Sequence, residues 1–147
     1  AEKKKFTFNP RLKAYTAVLV ILIGVLTGML FLRNDVEATV LRLPGQLYEK
    51  KDNNVIRNVY TFKLVNKTVE PIEDVHFKLI SHSGKIELVT HENFEVPKQG
   101  LSEGTLFIDI NQAALESDKE RLKIGVYSGE KLIETTKAAF LGPRSFR

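Results

Sequence analysis

The sequence has no cysteine and no tryptophan, one methionine and three histidines in 147 residues. Without cysteine the chain can form no disulfide, thiolate metal site, iron–sulfur cluster or thiol nucleophile. The one methionine, Met29, lies in a long apolar run, so there is no methionine-rich copper site. His76 and His82 are six residues apart. On one strand, at about 3.3 Å per residue, they would stand roughly 20 Å apart, too far to share a metal that sits about 2 Å from each ligand. We read these two and His91 as surface histidines. The Ser81-His82-Ser83 cluster has no G-x-S-x-G elbow around it, and adjacency in sequence is not a triad. Glu73 and Asp74 follow Pro71 in an expected polar turn, where solvated acids are ordinary. Gly100 and Gly104 lack the following Lys-Ser/Thr of a phosphate loop. Asn66-Lys67-Thr68 fits a glycosylation sequon, which carries no meaning in a bacterial protein. No internal repeat and no low-complexity linker is present. These residues build no active site, and the chain is not expected to be an enzyme.

What the sequence does have is an unbroken apolar run, AYTAVLVILIGVLTGMLFL over residues 14–32, nineteen residues without a charge. At about 1.5 Å rise per residue it makes a helix of roughly 28 Å, close to the roughly 30 Å hydrocarbon core of a bilayer. A globular helix normally keeps a polar face, and this one has none. The pattern predicts a transmembrane helix over residues 14–33, closed by Arg33, with Asn9-Pro10 as a helix-start signal. The run is longer than a signal-peptide core, and Val36-Glu37-Ala38 resembles a cleavage site only in outline. Phe6, Phe8 and Tyr15 suit the membrane interface, and Arg33 can snorkel at the other end. Gly24 and Gly28 share one helix face in a G-x-x-x-G spacing. Either they admit a neighbouring helix of the same protein, or they reflect the general frequency of glycine in membrane helices.

Charge divides the chain further. Of 22 basic and 18 acidic residues, Lys3, Lys4, Lys5, Arg11, Lys13 and Arg33 precede Asn34, against Glu2 alone. The remainder is nearly neutral, so the basicity is assigned to the membrane flank and not to a binding surface, and no nucleic-acid partner is expected. By the positive-inside rule residues 1–13 form a basic cytoplasmic flank and residues 34–147 an exported domain, periplasmic on a bacterial inner membrane. Only residues 34–36 separate the span from that domain, which places it close to the bilayer. The chain opens on Ala1 and not Met, which leaves open that an earlier part precedes it.

Beyond the span the pattern switches to period two. Residues 56–66 alternate, with Tyr60, Phe62 and Leu64 on one face and Thr61 and Lys63 on the other. Residues 37–43, 75–81, 86–89, 94–96, 104–110, 121–128 and 132–141 also read as strands. Turns fall at Pro44-Gly45, at residues 51–54 and 82–85, and at Ser128-Gly129. Residues 111–120 read as a helical turn or a loop crossing between sheets. Seven or eight short strands without a long amphipathic helix predict an all-β, immunoglobulin-like antiparallel sandwich preceded by one transmembrane helix. The missing Cys–Trp–Cys core excludes an antibody-like member, not the architecture. Without disulfides such a domain must rest on its hydrophobic core.

Residues 41–68, LRLPGQLYEKKDNNVIRNVYTFKLVNKT, follow a final span, and the chain closes on FLGPRSFR. Together they resemble the C-terminal part of the cytochrome c oxidase accessory protein family (CcoG, FixG or RdxA). The matching residues are Arg42, Tyr48, Ile56, Asn58, Tyr60 and Asn66, with Phe140, Gly142 and Pro143 at the end. Arg57, and DNN where the family often has D-G, are mild departures. The resemblance implies an iron–sulfur electron-transfer protein of the membrane, with [4Fe–4S] clusters and a copper site held by upstream cysteines. It further implies reduction of copper during assembly of cbb3-type cytochrome oxidase. None of those cysteines is here, so this chain would be the redox-silent end, with no cofactor of its own. The expected function is docking onto oxidase subunits or copper-delivery partners. The alternatives are an anchored envelope module unrelated to oxidase and a metal-binding chaperone.

Overall fold

The computed structural model describes residue 5 and residues 7–89 and 94–144. It divides into two units, Ala1–Asn34 and Asp35–Arg147.

The first unit is one helix, α1, Pro10–Phe31. Pro10 occupies the first turn, where a missing N–H costs nothing, and the Lys13 N–H reaches the Asn9 carbonyl at 3.0 Å. The helix therefore begins within the basic flank, four residues ahead of the apolar run. Its two threonines hide their hydroxyls on the backbone: Thr16 donates to the Leu12 carbonyl and Thr27 to that of Ile23, both at 2.8 Å. Such back-bonding leaves neither hydroxyl as a free donor.

The second unit is a sandwich of two antiparallel sheets. Its strands are β1 Val36–Arg42, β2 Glu49–Lys51, β3 Val55–Asn66, β4 Ile72–Leu79, β5 Gly84–Leu88, β6 Phe94–Val96, β7 Leu101–Asn111, β8 Lys119–Ser128 and β9 Lys131–Leu141. One sheet has the order β1-β3-β7-β5, with β2 also on β3; the other is β6-β4-β8-β9. From β3 to β8 each connection changes sheet, and β8 and β9 form a hairpin. β1 and β2 share one side of β3, the first against Tyr60–Asn66 and the second against Val55–Arg57.

The alternation read from the sequence is the packing pattern. Tyr60, Phe62 and Leu64 of β3 are buried with Leu106, Ile108 and Ile110 of β7, facing Leu122, Ile124 and Val126 of β8. Phe62, Phe77 and Phe94 join the sheets, with the Phe62 ring 5.0 Å from Phe77 and 5.4 Å from Phe94. Burying side chains of this size stabilises by about 1.5–3 kcal/mol each, which is how a sandwich without disulfides holds.

Two local readings change, and two others gain detail. β2 carries no hydrophobic signal and was not expected. The turn after it includes a 3₁₀ turn, Asp52–Asn54, with Asn53 and Asn54 both at positive φ (62° and 57°). Asparagine tolerates that region best after glycine, so DNN can do the work of D-G. Glu73 and Asp74 lie within β4 rather than in a turn, at an irregularity where Asp74 takes φ 51°. Residues 111–120 hold a 3₁₀ turn, Gln112–Ala114, and cross from β7 to β8, so both readings of that stretch apply.

Candidate functional site

The residues expected to matter in the membrane lie on or beside α1. Tyr15 and Phe8 are exposed, and Phe6 lies outside the described residues. Gly24 and Gly28 meet open space: beyond the adjoining helix backbone, no atom of the described residues stands within 4 Å of where a Cβ would be. Arg33 follows the helix end, where its N–H reaches the Leu30 carbonyl at 3.4 Å and a cation suits the negative end of the helix dipole.

In the sandwich the polar residues of the β3 pattern are buried and fully used. The Asn58 side chain donates to the Leu141 carbonyl at 2.8 Å and accepts the Leu141 N–H at 3.1 Å. Tyr60 donates to the Ala139 carbonyl at 2.8 Å. Gly142 N–H pairs with Asp118 across β8, so strand alternation turns Leu141 and Ala139 away from β8. Asn58 and Tyr60 thus satisfy the open edge of β9 and tie it to the other sheet. Burial raises the Tyr60 phenol above its ordinary pKa, against a smaller lowering by Arg42.

Asn66 does the same at the far end of β3. Its Oδ1 accepts from the N–H and hydroxyl of Thr68 at 2.9 and 2.7 Å, and its Nδ2 donates to the carbonyls of Glu70 and Pro97 at 2.7 and 3.2 Å. The sequon is therefore closed: its asparagine is 1% exposed and its amide is committed. Arg42 donates to the Gln46 carbonyl and folds the Pro44-Gly45 loop, bringing Tyr48 to a groove of about 720 Å³ shared with Leu141, Gly142 and Pro143. The two ends of the sequence pattern meet there.

Two charged clusters were not legible in advance. Arg57 grips Asp109 through two bonds, 2.6 and 2.7 Å, and reaches Glu87 at 3.0 Å, with its guanidinium 4.5 Å from the Phe107 ring centre. The second joins Ser81, His82 and Glu120. Ser81 Oγ lies 2.7 Å from His82 Nδ1, and His82 Nε2 lies 2.6 Å from Glu120. His82 lies beyond the end of β4, so strand parity does not place it, and it is a partly covered link and not a free surface histidine. Glu120 also accepts the N–H of Ser117 at 2.9 Å and that of Glu116. Burial opposes ionisation of Glu120, but those N–H groups and His82 outweigh it and hold the carboxyl below its ordinary value. The order Ser–His–Glu copies a triad without its setting. Ser81 Oγ already accepts the Lys123 N–H at 2.9 Å. The cluster fastens the β4–β5 turn to the β7–β8 crossing.

His76, by contrast, stacks on Tyr127 at 5.6 Å, and His91 lies outside the described residues. Among the described residues no three His, Asp or Glu side chains group as metal ligands, and the chain has no cysteine. These donors fit neither a [4Fe–4S] cluster nor a copper–thiolate site.

The near-neutral domain carries both paired and unpaired basic residues. On the β1-β3-β7-β5 sheet three bases meet acids, Arg57 with Asp109 and Glu87, Lys63 with Glu103 at 3.5 Å, and Lys67, just past β3, with Glu37 at 3.0 Å, while Lys85 on β5 makes no ion pair among the described residues. On the other sheet Lys78, Arg121, Lys123 and Lys137 are exposed, and none makes an ion pair among the described residues.

A disulfide-free immunoglobulin-like sandwich, preceded by a helix long and apolar enough to cross a membrane, defines the class. The family model described as "IG-like fold at C-terminal of FixG, putative oxidoreductase" matches residues 26–143, and the chain belongs to that family. Among the matching solved structures is the crystal structure of a FixG-related protein from Vibrio parahaemolyticus. It has a TM-score of 0.55 and 17% identity, and the match covers 74% of this chain and 97% of that one. At that identity it shows the shared fold. No curated protein matches the chain.

Proposed function

We propose that this chain is the membrane-anchored docking end of a cbb3-type cytochrome oxidase accessory protein. In this reading α1 crosses the bacterial inner membrane with its N-terminus in the cytoplasm. The sandwich stands in the periplasm and holds oxidase subunits or copper-delivery partners near the redox part of the same protein. Membership of the FixG C-terminal family carries the reading. The chain's chemistry supports a redox-silent role, since it has no cysteine and its polar clusters are spent on structure. Tethering works by concentration: a partner confined near its target binds as if at millimolar concentration, without any new contact. Gly24 and Gly28 would seat α1 against other spans of the same protein, with Tyr15 and Arg33 at the two interfaces. The test is capture of oxidase subunits from detergent-solubilised native membranes by the tagged full chain. Enrichment of those subunits is expected, and its absence counts against the reading. An anchored envelope module unrelated to oxidase would show itself by a native gene product of only 16.7 kDa.

A further inference from the structure

The outer face of the β4-β8-β9 layer has a layout that the sandwich core does not require. Strand register sets its rows. His76, Tyr127 and Leu132 form one row; Lys78, Gly125 and Thr135 form the next. Lys123 lies directly opposite Lys137 in the third, where the Ile80 N–H joins the Lys123 carbonyl at 2.9 Å. Arg121 follows, opposite Ala139.

Two features of this face are unfavourable in isolation. Like charges directly opposite on neighbouring strands destabilise a sheet, and neither Lys123 nor Lys137 makes an ion pair among the described residues. Beside them an apolar spot stays open to water, with Ile80 43% and Leu132 45% exposed. Both lean with Tyr127 over Gly125: a Cβ there would stand 2.7 Å from Tyr127, 2.9 Å from Ile80 and 3.1 Å from Leu132. The glycine lets the three side chains lie flat. Lys78 Nζ sits 5.2 Å from the Tyr127 ring centre, so the aromatic is already flanked by a cation. The acids Asp74 and Glu95 lie toward the β6 end, away from the lysine pair.

We infer that this face docks an acidic polypeptide segment carrying an apolar side chain between its carboxylates. The carboxylates would pair with Lys123, Lys137 and Arg121, relieving the cross-strand repulsion, and the apolar side chain would cover Tyr127, Ile80 and Leu132. An apolar centre with a charged rim is the ordinary anatomy of a protein interface. An apolar spot folded down over Gly125 and rimmed by cations favours an acidic polypeptide over a lipid surface, which needs apolar groups that protrude into the acyl boundary. The inference rests on the docking reading above and specifies its surface.

The test uses the full chain in a neutral detergent and a fluorescent Asp/Glu-rich peptide with one central leucine, followed by anisotropy. Binding is expected, weakening as salt rises, because exposed charges are screened over about 8–10 Å near physiological ionic strength. The double variant Lys123→Glu/Lys137→Glu should weaken binding by about tenfold or more, and Lys123→Gln/Lys137→Gln by less. Lys63→Glu on the opposite sheet should leave it unchanged. Thermal unfolding of each variant confirms that the domain is intact. Equal binding by the double variant and the native chain overturns the inference. So does no peptide binding, whether or not the chain binds vesicles containing phosphatidylglycerol. Subunit capture separates the two proposals: if the double variant captures oxidase subunits as well as the native chain does, this surface is wrong and docking stands.

Discussion

Asn58 on β3 holds both backbone groups of Leu141 on β9, its side chain standing in for a missing neighbouring strand. The two bonds, 2.8 and 3.1 Å, close an edge that would otherwise offer an open N–H and carbonyl. Asn58→Leu removes both and leaves the Leu141 groups orphaned against the core. An unsatisfied buried polar group costs about 1–3 kcal/mol, so the variant should lose at least about 2 kcal/mol of stability and aggregate through the freed edge. Chemical unfolding followed by circular dichroism, with light scattering on the same samples, measures both effects. Unchanged stability would mean that Asn58 does not hold this edge.

Tyr60 contributes a second bond to the same strand, 2.8 Å to the Ala139 carbonyl. Tyr60→Phe keeps the ring and deletes that bond, for an expected cost of about 1 kcal/mol. The phenol also gives a sign to the alkaline limb. Burial raises its folded pKa above the ordinary tyrosine value. Above that ordinary value the unfolded chain binds fewer protons than the folded one, so stability falls as pH rises. In a spectrophotometric titration one tyrosine should ionise only as the domain unfolds, and Tyr60→Phe should remove it.

The sequence carries the strands but not what closes them. Period-two alternation places Tyr60, Phe62, Leu64 and Phe77 inside correctly, because a pleated strand with one buried face leaves no other register. The signature residues Asn58, Tyr60 and Asn66 are visible too. Their roles are not, since their partners are backbone groups of Ala139, Leu141, Glu70 and Pro97, which carry no side-chain signal. Glu120 meets His82 because β8 pairs antiparallel with β4, whose end leads into the turn that holds His82. Lys123 and Lys137 each alternate with core residues, yet their repulsion needs the β8–β9 register to be seen.

That register makes a simple prediction about surface charge. Lys137→Glu turns the facing pair Lys123–Lys137 into an exposed salt bridge. Cross-strand pairs of opposite charge contribute roughly 0.2–1 kcal/mol, so the melting temperature should rise slightly at low salt and converge with the native value at high salt. A lower melting temperature at low salt would argue that the two lysines do not repel.

Arg57 stands on the opposite sheet, paired with Asp109 and largely covered. Its side chain is 12% exposed and that of Asp109 is 16% exposed. Removing only the acid, as in Asp109→Ala, leaves a largely covered guanidinium with Glu87 alone and should cost about 1–3 kcal/mol. The double variant Arg57→Met/Asp109→Leu removes both charges and can pack over Phe107. It should be more stable than Asp109→Ala, because an apolar pair avoids the uncompensated charge. A double variant less stable than the single one would show that the ion pair contributes more than packing can replace.

Glu120 sets the acid limb. Its carboxyl is held below the ordinary glutamate value despite burial, by the N–H groups of Ser117 and Glu116 and by His82. In the unfolded chain it titrates at that ordinary value. Between the two values the unfolded state binds more protons, so stability must fall as pH falls through that window. Glu120→Gln cannot ionise and should flatten this part of the profile while lowering stability at neutral pH. The loss should be local as well as global. Glu120 fastens the Ser117 end of the β7–β8 crossing to the β4–β5 turn through His82, so amide exchange should rise first at Glu116, Ser117 and Lys123. An acid limb of equal slope in the variant and the native chain would assign the titration to another carboxylate.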